Sequence, residues 1–153
     1  HLQPASVDLT LGSKFATIDQ ESPYTIIVGQ DSPLYTYREW DQFHLYPGCF
    51  VLCQTRESIV LPPGIAGKFE GKSSLGRIGL MTHVSAGFID PGFNGVLTLE
   101  VYNCGPLELV LRPGIRIGQV AFHVLQSLPR RAYGDPGLGS HYQGNTSVQG
   151  AIF

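Results

Sequence analysis

Long apolar runs, charge and helical periodicity are all scarce in this sequence. No stretch approaches the roughly 20 apolar residues that a membrane helix needs, so no membrane partner is expected. Only 14% of residues are charged, and 10 Lys and Arg against 12 Asp and Glu give a formal charge of -2. The basic footprint of a duplex-binding protein is missing, and no nucleic-acid partner is expected either. Cysteine is limited to Cys49, Cys53 and Cys104, an odd number at no zinc spacing. Neither a C-x-x-C pair nor the H-x-E with P-C-x-x-C signature of zinc deaminases is present. The three read as small apolar fillers in a reducing, cytoplasmic setting. The opening HLQPASVDL has no apolar signal-peptide core, and without an initiating Met, residues upstream are expected to have been removed.

What is present fits one compact domain over 1–153, large enough at 16.7 kDa to bury a core without staples. The 19 glycines and 11 prolines make about a fifth of the 153 residues and punctuate short apolar runs without a repeat. Those runs are Phe50 to Thr55, Ile65 to Glu70, Leu80 to Val84, Gly95 to Asn103, Leu107 to Leu111 and Arg116 to Leu125. LPPG, DPGFNG, NCGP and RPG separate them as turns. Strands this closely spaced leave no room for crossover helices, which predicts an all-β, mainly antiparallel sandwich or barrel. EGKSSLGRIGL (70–80) breaks the rhythm, with Ser73 or Ser74 as a candidate N-cap and about one helical turn before Gly79. Residues 13–45 alternate weakly and suit a long hairpin or covering loop. The polar, Gly-rich stretch 129–150 suits a mobile C-terminal tail that orders on a ligand or a neighbouring subunit.

Several residues could carry chemistry. In the strand 95–103, Val96, Thr98, Glu100 and Tyr102 share one face, and Leu97, Leu99 and Val101 share the other. Glu100 is then either a solvated carboxylate, or a half-buried one whose pKa burial would raise toward neutrality for proton transfer. Lys72, Ser73, Ser74 and Arg77 put two cations, two hydroxyls and backbone N–H groups within one turn. That is either an anion site or an ordinary capped turn. Asp90 precedes Pro91 at a turn, a common starter. His44, His83, His123 and His141 are dispersed, and His83 and His123 have no metal-like partner by spacing, so they read as structural. Tyr133, Tyr142 and Phe153 could stack on a base or anchor the tail.

The order of these stretches resembles the deoxycytidine triphosphate (dCTP) deaminase family, the zinc-free branch of the trimeric deoxyuridine triphosphatase (dUTPase) superfamily. LQPASVDLTLG (2–12), EGKSSLGRIGL (70–80), HVSAGFIDPGFNGVLTLEVYN (83–103), LRPGIRIGQVAF (111–122) and YQG (142–144) carry the likeness. It implies a distorted antiparallel β-barrel with one short helix, assembled as a homotrimer with sites between subunits. It implies Glu100 as general base and acid, with Ser73 and Arg77 assisting from a neighbouring subunit and Asp90 near the deoxyribose. In the related triphosphatases, an aspartate in that turn activates the attacking water. Lys72, Ser73 and Ser74 would receive the triphosphate, with magnesium held mainly by the phosphates and no zinc. Val84, Ala86, Gln119, Tyr133, His141 and Asn145 would complete the substrate contacts. His141 and Asn145 stand where the family commonly has Lys and Gln. GFID before Pro91, with Gln119 in RIGQV, is similar to bifunctional members that take dCTP to dUMP and diphosphate.

Hydrolytic deamination without a metal needs one carboxylate to move every proton, and a triphosphate grip supplies remote binding energy. Two alternatives remain. A dUTPase alone would use Asp90 and the cradle but not a buried Glu100. A non-catalytic nucleotide sensor or structural barrel would use none of them.

Overall fold

The computed structural model describes residues 1–153. Ten strands and one turn of helix follow in the order β1 (Val7–Ile18), β2 (Tyr35–Glu39), β3 (Phe43–Leu45), β4 (Phe50–Val60), β5 (Ile65–Gly71), α1 (Ser73–Gly76), β6 (Leu80–Met81), β7 (Phe88–Ile89), β8 (Asn94–Asn103), β9 (Leu109–Leu111) and β10 (Arg116–Val124). The main sheet runs β6-β8-β4-β1-β10-β5-β7, with β2 added to β1, while β3 and β9 form a second small sheet. Every strand pair is antiparallel. Only β1 and β2 among these pairs are successive in the chain, so the antiparallel sheet is built from long-range pairings rather than from hairpins.

β1 curls the sheet. Its first half pairs with β10 (Val7↔Val120) and its second half with β2 (Ala16↔Tyr37), while Leu11 to Ala16 run beside β4. Register shifts at Leu9/Thr10 and at Gln54/Ser58 mark the bend, as bulges do where sheets close into barrels. The Glu57 carboxylate holds it, accepting from the Thr10 N–H (2.8 Å) and the Thr10 hydroxyl (2.6 Å). Inside the curl lies one apolar cluster that includes Leu11, Phe15, Leu45, Leu99, Val101, Ile117 and Val120. Phe15 stacks on Phe43 with centroids 5.2 Å apart and meets Trp40 edge-on at 5.6 Å. Each such buried side chain contributes roughly 1.5–3 kcal/mol over an exposed one. Gly118 is a fixed requirement: an added Cβ would lie 2.1 Å from the Phe69 ring and 2.9 Å from the Glu70 carbonyl oxygen.

The runs expected from the turns are strands β4, β5, β6, β8, β9 and β10, with β6 cut to two residues and β9 starting at Leu109 rather than Leu107. Within 13–45 lie the rest of β1, β2 and β3. The helical turn starts one residue earlier than expected: Lys72 is the N-cap, in extended conformation, and neither serine caps it. Gly79, at φ +85°, reverses the chain after it, where a Cβ would strike the Gly105 backbone at 2.4 Å.

The polar stretch expected to order against a ligand or a neighbour lies against its own chain. Asn145 bridges Gly95, its carbonyl accepts from the Val96 N–H (2.9 Å), and Gly144 N–H donates to the Asn94 carbonyl (2.8 Å). Val148 is buried beside Ala16 and Leu52. The tail thus crosses the outer face of β8, above Glu100.

Candidate active site

Strand alternation sends Leu99 and Val101 into the core and turns Glu100 to the other face, as its spacing requires. On one side β8 pairs with β4 (Leu52↔Glu100), and on the other with β6 (Leu80↔Asn103, Met81↔Tyr102). Reading the β6 register two residues on sets His83 opposite Glu100. There His83 Nδ1 lies 2.8 Å from Glu100 Oε2, with the two side chains 13% and 32% exposed. The two atoms lie within ion-pair distance without the alignment of a hydrogen bond, and both are charged when His83 is protonated. Phe69 packs edge-on against the His83 ring, centroids 5.7 Å apart.

Burial pushes the Glu100 carboxyl up, but the His83 contact and its charge outweigh this and hold it below the ordinary value. For His83, burial pushes down while Glu100 pulls up, and the net direction is up. The sequence reading of a half-buried Glu100 raised toward neutrality is therefore corrected. His83, read from the sequence as structural, has its ring against Glu100.

Glu100 and His83 face a cavity of about 590 Å³ whose walls are mostly apolar and include Phe69, Phe93, Leu97 and Leu99. Ala86, Asp90, Tyr133, His141 and Asn145 line the same cavity, so with Glu100 six of the residues that the family resemblance assigns converge. Tyr133 packs on Phe93 at 5.8 Å, and its hydroxyl accepts from the Tyr142 N–H (3.0 Å).

A second cavity of about 380 Å³ takes in Lys72 and Val84, and it shares Phe69, His83 and Gly87 with the first. Lys72 Nζ is 2.6 Å from Asp8 Oδ1, and Arg116 lies 3.4 Å from Asp8 Oδ2. The hydrogen bond from Lys72 holds the buried Asp8 carboxyl below the usual range. Gln119 accepts from the Ser6 hydroxyl (2.9 Å) in the neighbouring register of β1 and β10. Ser73, Ser74 and Arg77 are exposed on and just after α1 and do not line the Glu100 cavity of the same chain. Residue spacing signalled neither Asp8 nor His83, although the β6–β8 register contains the second.

No three His, Cys, Asp or Glu side chains converge as a metal-binding group.

The sequence profile of the dCTP deaminase-like family matches residues 1–125. The chain belongs to that family. Among dCTP deaminase-like proteins, it is 46% identical over 147 residues to the "dCTP deaminase, dUMP-forming" of Beutenbergia cavernae, covering 94% of this chain and 77% of that one. The enzyme of the same name from Corynebacterium efficiens is 45% identical over 148 residues, covering 94% and 76%. Among solved structures, the 2'-deoxycytidine 5'-triphosphate deaminase from Agrobacterium tumefaciens superposes with a TM-score of 0.63 at 28% identity. That match covers 80% of this chain but 40% of the other, so this chain spans less than half the length of that relative. The EIAV dUTPase superposes at a TM-score of 0.50 and 20% identity, covering 80% and 98%, a likeness of fold alone.

Proposed function

We propose that this protein hydrolytically deaminates dCTP and carries the product on to dUMP and diphosphate. The observation that carries the proposal is one ionised carboxylate, Glu100, in a largely apolar, tail-covered cavity that adjoins a second cavity holding a lysine. The names of its dCTP deaminase-like relatives supply the substrate class.

The chemistry follows from the groups present. Glu100 takes a proton from water as that water attacks C4 of the cytosine and hands it to N3. The second proton of the attacking water leaves through the same carboxylate to the amino group, C4–N4 breaks, and ammonia departs. A base seated against Glu100 competes with His83 for the same oxygen. Removing His83 leaves burial as the dominant influence on Glu100, which makes the carboxylate a stronger base when the substrate is in place. Asp90, lining the same cavity, then orients a water toward the α-phosphorus of dUTP, and diphosphate leaves. Lys72, released from Asp8, meets the phosphates with their magnesium, and the triphosphate's binding holds the base in position.

Ser73, Ser74 and Arg77 reach a site from a neighbouring subunit in this reading, and the protein works as a homotrimer. Their exposure away from their own cavity supports this, as do exposed apolar side chains such as Phe88, Val124 and Leu128. No helix is long and apolar enough to cross a membrane, and a reaction on free deoxynucleotides suits the cytoplasm.

Product analysis tests the proposal. Purified protein with dCTP and magnesium, in buffer stripped of zinc, should release ammonia, diphosphate and dUMP. Ammonia without diphosphate would leave a dUTP-forming deaminase. Diphosphate from dUTP with no ammonia from dCTP would leave a dUTPase, and no turnover of either would leave a binding module.

A further inference from the structure

The cavity holds an unused hydrogen-bonding atom. Gln149 Oε1 is buried, lines the Glu100 cavity, and finds no donor among the protein's own groups. A buried amide oxygen without a partner costs free energy, and such atoms are uncommon unless a ligand completes them.

The position of Gln149 is fixed by its neighbours. Its own N–H donates to the Thr98 hydroxyl (3.2 Å), and Gly150 N–H donates to the Tyr37 hydroxyl (3.2 Å). Ser32 Oγ donates to the Ala151 carbonyl (2.8 Å), Ile152 N–H donates to the Tyr142 hydroxyl (3.2 Å), and Val148 is buried at 3% exposure. Gly150 is required here, since a Cβ would lie 2.3 Å from the Tyr35 ring. Thr98 and Glu100 lie two apart on β8 and share a face, which sets Gln149 one pleat from the carboxylate.

We propose that Gln149 is a specificity-determining residue whose side-chain oxygen accepts a hydrogen bond from the amino group at C4 of the bound cytosine. This rests on the deaminase reading above. As it stands, an acceptor beside the reacting carbon pairs with the 4-amino group of dCTP, whereas the 4-oxo group of dUTP would need the amide turned over to present its NH2. It therefore favours the substrate of the first step over the product of that step, the kind of discrimination a buried hydrogen-bonding group gives.

The test is Gln149→Leu, with Gln149→Ala as a second variant. For each, the KM for dCTP is measured by ammonia release, the KM for dUTP by diphosphate release, and the melting temperature without ligand. The expected result is a KM for dCTP raised about five- to tenfold, as loss of one hydrogen bond gives. The KM for dUTP should change less than twofold, and the ligand-free melting temperature of Gln149→Leu should hold or rise, because an unpaired buried polar atom has gone. An unchanged KM for dCTP, an equal weakening of both nucleotides, or a fall in melting temperature that parallels the KM in both variants would overturn the inference. If the unaltered protein releases no ammonia from dCTP, the deaminase reading fails first, before Gln149 is at issue.

Discussion

Replacing Glu100 by glutamine keeps the side chain's size and removes its charge, so it separates catalysis from folding. Loss of a general acid–base group costs typically 10²–10⁴-fold in rate, and here one carboxylate serves every proton transfer. Ammonia release from dCTP should therefore fall by at least about 10³-fold with nucleotide binding largely kept. Stability should fall much less. The His83–Glu100 pair is partly open to solvent, with the Glu100 side chain 32% exposed, so screening limits its worth to about 1 kcal/mol. For a chain of 153 residues that is a drop of about 2–4 °C in melting temperature.

The pH dependence has a definite sign. Glu100 is held below its ordinary value of 4.5, so its contribution is full above that pH and is lost as pH falls through the folded value. His83 is raised above 6.5, so its contribution is full below that pH and is lost as pH rises through the folded value. The melting difference between the unaltered protein and Glu100→Gln should be largest between about pH 5 and 6.5 and shrink by pH 8.5. Undiminished ammonia release, or a melting difference flat from pH 5 to 8.5, would refute the reasoning.

Three further outcomes are expected. Arg77→Ala and Glu100→Gln should each be inactive alone, yet mixed one to one and reassembled they should recover about a quarter of full activity if each site draws one residue from each of two chains; no recovery would place both in one chain. Asp8→Asn should melt below the unaltered protein at pH 7. Because Lys72 holds the Asp8 carboxyl below 3.8, that gap should close as pH falls through the folded value, which melts from pH 3 to 7 would show. Phe15→Ala removes a ring that is fully buried and should cost about 3–5 kcal/mol, lowering the melting temperature by about 10 °C or more in calorimetry.

The turn chemistry made most of the sheet legible, because LPPG, DPGFNG, NCGP and RPG end strands for local reasons. β1 was harder to read. Asp8 to Gly12 are all buried, two of them are polar, and a strand covered on both faces loses the alternation that betrays strands. Position gave Glu100 its face but not its ionisation, since that depends on a histidine seventeen residues away that only the pairing of β6 with β8 brings close. Local preference also misjudged the serines: a lysine in extended conformation begins the helical turn, and its ammonium goes to Asp8. The docking of residues 142–152 on β8 was illegible for a related reason, as polar, glycine-rich composition does not reveal which hydroxyls and carbonyls will receive it.

That docking comes after β10, the last strand, so the segment over Glu100 supplies no strand to the sheet. Architecture and chemistry can therefore be severed at one point. Removing the chain beyond Leu125 would cut no strand, yet it would take the roof from the cavity and open its carboxylate to bulk water.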